Sequence, residues 1–118
     1  MRVHHIAFRT HDLPRLERFY VEVLHFSVKT RLGQRSVWLD AGDAIVMLEK
    51  ASPDEPKIPV QSMEFVAFAI RPQERTPIMD RLEAHGIPIE HKTEYTLYFR
   101  DPDGRRVGVS HFAAHDIL

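Results

Sequence analysis

The sequence carries one pattern twice, and the two copies are separated by about half of its 118 residues. Ile6-Ala7-Phe8 in the first copy corresponds to Val66-Ala67-Phe68 in the second, at a shift of 60 residues. At a shift of 61 the matching pairs are Asp40 with Asp101, Val46 with Val107, and Leu48 with Val109. An offset of half the chain indicates a duplicated module and not a solenoid of many short repeats.

The first half predicts a strand, a helix and three further strands. Apolar residues alternate over 2–9, which is typical of a strand. Asp12 then suits a helix N-cap and Pro14 the first helical turn, and apolar residues recur at helical spacing as far as Leu24. Three short strands are predicted at 26–32, 35–40 and 44–50, with turn residues between them.

The second half repeats this order of elements. A strand is predicted at 63–70, followed by a helix that begins near Thr76-Pro77 and is closed by Gly86. Strands follow at 87–92, 96–99 and 106–112, the last two joined by the turn Asp101-Pro-Asp-Gly104. We therefore predict a single domain over 1–118, with module one at 1–50, a proline-rich linker at 51–61, module two at 62–112 and a tail at 113–118.

Composition and charge exclude several classes of function. The chain has no cysteine, which excludes disulfides, thiolate metal sites and a cysteine nucleophile. Lys and Arg number 16 against 17 Asp and Glu, so no basic excess favours nucleic acid. No apolar run approaches the roughly 20 residues that span a bilayer, and the N-terminus lacks an apolar signal core. We expect a cytoplasmic protein that binds neither nucleic acid nor membrane.

Two segments resemble known modules, HHIAFRTHDLPRLERFYVEVLHF at the start and YFRDPDGRRVGV near the end. They are similar to the opening and the close of modules in the glyoxalase, bleomycin-resistance and extradiol dioxygenase (vicinal oxygen chelate) superfamily. The resemblance extends from residue 3 to about 112. It implies an α+β fold in which two tandem βαβββ modules form an eight-stranded, open, cup-like sheet with one helix per module packed outside. It also implies a homodimer and a small molecule bound inside the cup.

Many members of that family hold a divalent metal with one ligand from the first and fourth strand of each module. By the resemblance, these four positions fall on His5, Met47, Phe65 and Gly108. A thioether is a poor ligand for hard divalent metals, and Phe and Gly supply no donor. A catalytic zinc normally has three protein ligands and one open position. We therefore expect no metal cofactor.

A rearranged divalent-metal site is the alternative to a metal-free one. His4 and His5 are neighbours in the predicted strand, so their side chains should point to opposite faces and not share an ion. Glu49 lies two residues after Met47 on the same predicted face and is a candidate to reach His5. Such a site would still be one ligand short.

Strand alternation also predicts which side chains line the cup. Arg9 could clamp a carboxylate or phosphate with two parallel hydrogen bonds. His5 could carry a proton near neutral pH, and Glu49 could act as a base if burial raises its pKa. The predicted catalytic residues are His5 and Glu49, and the predicted ligand-binding residues are Arg9, Trp38, Met47, Phe65, Tyr98, Arg106, Gly108 and Ser110.

Each of these assignments has a structural alternative. Arg9 and Glu49 could simply pair with each other at the rim, and Met47 and Phe65 could fill the cup as packed core. Four functions follow: a protein that binds a small organic molecule without metal, a metal-dependent lyase, isomerase or dioxygenase, a metal-free enzyme using His5 or Glu49, and a scaffold with a filled cup. The lost metal ligands favour the first.

Overall fold

A computed structural model of the chain describes residues 1–113. The contacts within it divide the chain into two compact units, Met1–Ile58 and Pro59–Leu118, which we call unit 1 and unit 2. The boundary falls inside the predicted linker 51–61. Of the predicted tail 113–118, only the first residue is among those described. The assignment of both units to one domain stays a prediction.

Unit 1 is a βαβββ module with an open, mixed sheet. Its elements are β1 (His5–Thr10), α1 (Leu13–Arg18), β2 (Ser27–Leu32), β3 (Ser36–Asp40) and β4 (Ile45–Lys50). The strands lie in the order β1-β4-β3-β2, with β1 parallel to β4 and the other neighbours antiparallel. The first strand of the module, β1, therefore lies at one edge of the sheet, and the last strand, β4, lies next to it in the interior.

The predicted first helix is confirmed, but its second half is wound differently. Asp12 caps α1, and its Oδ1 accepts a hydrogen bond from the backbone N–H of Arg15 at 3.2 Å. The chain then continues as a π-helical turn over Phe19–Val23. The connection to β2 passes through His25, which has a φ of 61°, a left-handed conformation that usually favours glycine.

The two faces of the sheet in unit 1 differ in burial, as strand alternation predicts. Phe8 and Thr10 of β1 are buried, whereas His5, Ala7 and Arg9, which alternate with Ile6, Phe8 and Thr10, are exposed. The core of the unit lies on the face that is turned to the helix and contains these side chains: Phe8, Leu13, Leu16, Phe19, Tyr20, Val23, Val37, Leu39, Val46 and Leu48. The opposite face is free of these core side chains and carries the polar groups described below.

Unit 2 repeats the architecture of unit 1. Its elements are β5 (Phe65–Ala69), a 3₁₀ turn (Pro72–Glu74), α2 (Arg75–Ala84), β6 (His91–Lys92), β7 (Thr96–Arg100) and β8 (Arg106–Ser110). The strands lie in the order β5-β8-β7-β6, with β5 parallel to β8. The predicted α+β class and the two βαβββ modules are thereby confirmed. Within residues 1–113, no helix has both the length and the apolar character needed to cross a bilayer.

Two details of the predicted second half are wrong. The strand predicted at 87–92 is only His91–Lys92. The backbone N–H of Ile87 instead donates to the Leu82 carbonyl at 2.8 Å, which closes α2 just after Gly86 with its φ of 69°. The N–H of Ile87 is therefore used to end the helix, and the contact of this loop with β7 begins only at Glu90, whose N–H donates to the Tyr98 carbonyl at 2.8 Å.

The pairing of Asp40 with Asp101 in the repeat is the second error. Asp40 is the last residue of β3 and pairs with Ile45, the first residue of β4. In unit 2 the equivalent pair is Arg100 with Arg106, so Arg100 and not Asp101 is the counterpart of Asp40. Asp101 lies one residue beyond β7. The first and third strands of the module therefore repeat at a shift of 60, whereas the second strand repeats at 61, since Thr30 pairs with Trp38 and His91 with Tyr98. The extra residue that gives the last strand its shift of 61 lies in the turn before that strand.

Candidate functional site

The face of unit 1 that is turned away from the core carries three rows of side chains. Strand register aligns residues of β1, β4 and β3 side by side in each row. The rows are Arg9, Glu49 and Ser36, then Ala7, Met47 and Trp38, and then His5, Ile45 and Asp40. Four of the predicted site residues, from three different strands, therefore lie in two adjacent rows.

A pocket of about 640 Å³ lies over these two rows. Its size is within the range of ligand pockets in proteins, which is roughly 300–1,000 Å³. The lining residues are Arg9, Leu32, Arg35, Ser36, Trp38, Met47, Glu49, Lys50, Ala51 and Ser52. The pocket combines the indole of Trp38 and the thioether of Met47 with several charged groups around them.

The guanidinium of Arg9 is held by two carboxylates. Its Nε and Nη2 donate to the two carboxylate oxygens of Glu55 at 2.7 and 2.8 Å, and its Nη1 lies 3.5 Å from Oε1 of Glu49. The hydrogen bonds to Glu55 raise the pKa of Arg9, and the same bonds lower the pKa of Glu55. The contact between Arg9 and Glu49 that we considered from the sequence is present, but Glu55 is the closer partner.

Two hydrogen-bonding groups in the pocket wall have no partner in residues 1–113. They are the hydroxyl of Ser36 and the indole N–H of Trp38, and both atoms are buried. Ser36 as a whole is only 5% exposed. A buried donor without a partner costs roughly 1–3 kcal/mol. Because both atoms are covered, a molecule in the pocket would reach them only after a shift of the wall.

His5 lies outside this pocket, at the far end of the same face. Its ring is 6.3 Å from that of Trp38 and nearly parallel to it, with 14° between the planes. Its Nδ1 lies 2.9 Å from Nδ1 of His4, so the prediction that these two side chains point apart is wrong. β1 begins at His5, and strand alternation therefore does not apply to His4.

The strand register also contradicts the predicted proximity of Glu49 to His5. His5 is level with Ile45 and Glu49 is level with Arg9, four residues further along parallel strands. Four strand residues span about 13 Å. No group of three or more His, Asp or Glu side chains in the described part of the chain is arranged to hold one ion.

The corresponding face of unit 2 is occupied by stacked rings. The centroids of Phe65 and Tyr98 are 4.6 Å apart, and the guanidinium carbon of Arg106 lies 4.5 Å from the Tyr98 ring centroid. Nε of Arg106 also donates to Glu90 at 3.0 Å. A Cβ placed on Gly108 would lie 2.9 Å from two carbons of the Phe65 ring. These four predicted site residues are therefore brought together, but they pack on one another.

Ser110 lies at the other end of that face. Its hydroxyl is 2.8 Å from the hydroxyl of Thr96 and also accepts a hydrogen bond from the backbone N–H of Phe112 at 3.2 Å. Both interactions stabilise the end of β8. A role of Ser110 in ligand binding stays a prediction, as do the roles of the other predicted site residues.

A family model agrees with this architecture over almost the whole chain. The model of the Glyoxalase/Bleomycin resistance protein/Dioxygenase superfamily matches residues 2–109. The chain belongs to this superfamily. The resemblance that we stated from the two sequence segments is therefore confirmed.

Solved structures of other glyoxalase superfamily proteins are similar to this one in fold. Lactoylglutathione lyase from Agrobacterium tumefaciens has 23% identity and a TM-score of 0.73, over 93% of this chain and 92% of that one. The fosfomycin resistance protein FosX from Mesorhizobium loti has 18% identity and a TM-score of 0.79, over 99% and 96%. FosX from Listeria monocytogenes has 15% identity and a TM-score of 0.81, over 99% and 96%.

The metal-ligand positions implied by the superfamily do not fit a divalent metal in this chain. In unit 2, the ring of Phe65 lies where a side chain of residue 108 would begin, so neither position can present a donor atom. In unit 1, Met47 offers only a thioether, and His5 is left as the single imidazole. One imidazole falls short of the three protein ligands that a catalytic zinc normally has.

Several pocket residues were missed by the sequence analysis. Trp38 was selected for the cup although the sequence did not fix the alternation of this strand, and Ser36, two positions earlier on the same face, was not selected. Glu55 was missed because it lies in the proline-rich segment that we interpreted as a linker. No periodic pattern marks a residue that reaches a strand from an irregular segment, so composition alone could not identify it.

Proposed function

We propose that this glyoxalase superfamily protein binds a small organic molecule in the pocket of unit 1, without the metal of its relatives. One observation carries the proposal: a pocket of about 640 Å³ is walled by Trp38 and Ser36, two side chains whose polar atoms have no partner in residues 1–113. Apolar surface from Met47 lies beside them, and charged groups surround them. This combination is typical of sites that bind small molecules.

The relatives support the same class of function. The names of the lyase and of the fosfomycin resistance proteins refer to small organic molecules. The metal-free part of the proposal is supported by the side chains at the implied ligand positions, of which only His5 has a suitable donor. We also propose a homodimer, as the family resemblance implies, and a cytoplasmic location. Light scattering after gel filtration tests the dimer.

The metal-free proposal is tested by elemental analysis of protein purified without a histidine tag. We expect a content of divalent metal far below one ion per chain, both as purified and after dialysis against zinc or manganese. A stoichiometric ion that is lost in the His5→Ala variant would contradict the proposal and favour a metal-dependent enzyme with a rearranged site.

Binding is tested through the fluorescence of Trp38, which is the only tryptophan of the chain and lines the pocket. A panel of small aromatic and aliphatic molecules is titrated against the wild type, the Met47→Lys variant and the Met63→Lys variant. Met63 is 64% exposed and belongs to unit 2, so its variant is a matched control. We expect saturable changes that Met47→Lys abolishes and Met63→Lys preserves. Absence of any saturable change in the wild type would refute binding in this pocket.

A further inference from the structure

We infer that the pocket of unit 1 selects molecules with a carboxylate group, and that Glu55 occupies the place of that carboxylate on Arg9 when no such molecule is bound. The inference rests on the proposed function, because it names the chemical class of the molecule that the pocket binds. Four features of unit 1 support it, namely the geometry of the Arg9–Glu55 pair, the anchoring of Glu55, the charge of the pocket and the unpartnered groups in its wall.

The contact between Arg9 and Glu55 has the geometry with which arginine recognises a carboxylate ligand. Two parallel hydrogen bonds join Nε and Nη2 of Arg9 to the two oxygens of Glu55, at 2.7 and 2.8 Å. This bidentate arrangement is the preferred one between a guanidinium and a carboxylate. Glu49 contacts the remaining nitrogen, Nη1, at 3.5 Å. A second carboxylate could therefore replace Glu55 while the contact with Glu49 remains.

Glu55 comes from an irregular segment and not from the sheet. Its backbone N–H donates to the Ser52 carbonyl at 3.0 Å, and its carbonyl oxygen lies 2.9 Å from Nε2 of His11. These bonds hold the main chain at the rim of the pocket, where Ser52 is part of the lining. Rotation of the Glu55 side chain away from Arg9 breaks no strand pairing, because no ladder hydrogen bond involves residue 55. It does break the 3.4 Å hydrogen bond that Oε1 of Glu55 accepts from the backbone N–H of Ser52.

The charge of the pocket favours an anionic molecule. Among the lining residues, Arg9, Arg35 and Lys50 are cationic, and Glu49 is the one carboxylate. Glu55 offsets part of this excess by binding Arg9. When its side chain leaves, a molecule with one negative charge restores the balance, whereas a neutral molecule does not replace the ionic hydrogen bonds that Arg9 made with Glu55.

The unpartnered groups of the wall also favour a molecule that accepts hydrogen bonds. The indole nitrogen of Trp38 is a donor only, and the hydroxyl of Ser36 can donate as well as accept. Ser36 is level with Glu49 and Arg9 in the same row, and Trp38 is in the next row. An oxygen-bearing molecule anchored on Arg9 would therefore lie over both side chains, and a small shift of the wall would bring their covered polar atoms within reach of it.

The test uses benzoate as the carboxylate probe and benzamide as its uncharged counterpart, with Trp38 fluorescence as the readout. Three variants are compared with the wild type: Glu55→Gln, Glu17→Gln and Arg9→Lys. Glu17 is a matched control, since it makes a similar bidentate pair with Arg31, at 2.7 and 2.6 Å, elsewhere in unit 1. If the Glu55 side chain occupies Arg9 about nine-tenths of the time, only about one-tenth of the protein can bind benzoate, and the apparent affinity is about tenfold weaker. Glu55→Gln weakens this competitor and should therefore tighten benzoate binding by up to about tenfold.

We expect Glu17→Gln to bind benzoate like the wild type, Arg9→Lys to bind it weakly, and none of the variants to bind benzamide more tightly. Equal affinity of the wild type and Glu55→Gln for benzoate would overturn the inference. Binding of benzamide as tight as that of benzoate would also overturn it while leaving the proposed function intact.

If neither probe changes the fluorescence of the wild type or of Glu55→Gln, while the wider panel still binds, the carboxylate class is wrong. If the panel fails as well, the proposed function is wrong.

Discussion

The ring of Phe65 lies against the backbone of Gly108, so that a Cβ on residue 108 would come within 2.9 Å of the ring carbons Cε1 and Cζ. The same Cβ would also collide with the backbone carbonyl oxygen of Leu97. The resemblance to the superfamily places metal ligands at positions 65 and 108. In this chain the two positions are joined in one packed cluster, in which the aromatic side chain requires a glycine.

Gly108→Ala is therefore expected to destabilise the protein, by about 3 kcal/mol, because the added methyl group meets both a ring and a backbone oxygen. Urea denaturation followed by circular dichroism measures the change. Ala67→Ser is the control, since Ala67 is level with Gly108 on the neighbouring strand but is exposed, and it should change stability by less than about 0.5 kcal/mol. Equal stability of Gly108→Ala and the wild type would contradict the packing described here.

Two buried hydroxyls of unit 1, those of Ser36 and Thr10, should respond in opposite ways to removal. Ser36 Oγ has no hydrogen-bond partner in residues 1–113, whereas Thr10 Oγ1 accepts from the backbone N–H of Asp12 at 3.1 Å. We expect Ser36→Ala to leave the free protein as stable as the wild type or more stable by up to about 1 kcal/mol, and Thr10→Val to destabilise it by about 1 kcal/mol. Thermal denaturation of both variants compares their stabilities with that of the wild type. A marked loss of stability in Ser36→Ala would contradict the prediction.

Asp40 in unit 1 and Asp101 in unit 2 each lie before the last strand of their module, and the two differ in their surroundings. The Asp101 side chain is fully buried, and its Oδ2 lies 2.6 Å from Nη1 of Arg105, while the Asp40 side chain is exposed and accepts a bond from the Gly42 N–H at 2.8 Å. Asp101→Asn should destabilise the protein by about 3 kcal/mol, because it leaves the largely buried Arg105 without its closest counter-charge.

Asp40→Asn is the matched control for this change and should cost less than about 0.5 kcal/mol, since an amide oxygen can still accept the bond from Gly42. Urea denaturation at neutral pH compares the two variants. Similar losses in both would show that the buried pair of unit 2 has no special contribution to stability.

The ion pairs of Glu90 predict a pH dependence of stability. Its carboxylate lies 2.6 Å from Nε of Arg100 and 3.0 Å from Nε of Arg106. The hydrogen bond from Arg100, followed by that from Arg106, lowers the pKa of Glu90 in the folded protein. The stabilisation is then fully present above the ordinary glutamate pKa of about 4.3 and is lost as the pH falls through the lower pKa of the folded state.

We therefore expect Glu90→Gln to be less stable than the wild type at neutral pH, with the difference shrinking as the pH falls below about 4. Denaturation midpoints measured across this range check the trend. Glu94→Gln is the control, because the Glu94 side chain makes no ion pair in the described residues. A difference between Glu90→Gln and the wild type that stays constant with pH would contradict the linkage.

Much of the fold could be predicted from the sequence, but the site could be predicted only in part. The repeat at Ile6 and Val66 and the alternation in β1 identified both modules and the open face that carries Arg9. These features depend on residues that are close in sequence. The shortness of β6 was missed, because the N–H of Ile87 is used by a helix carbonyl, and such competition between elements leaves no periodic signal.

By itself, the sequence determined the two βαβββ modules, the buried and open faces of their strands, and the presence of Met, Phe and Gly at three of the four metal positions that the family resemblance implies. Each follows from residue type and from a period that neighbouring residues impose. Only the tertiary structure decided that Glu55, 46 residues away, binds Arg9, and that the ring of Phe65 covers Gly108. The path of the chain brings these partners together, and no local preference of either residue encodes that path.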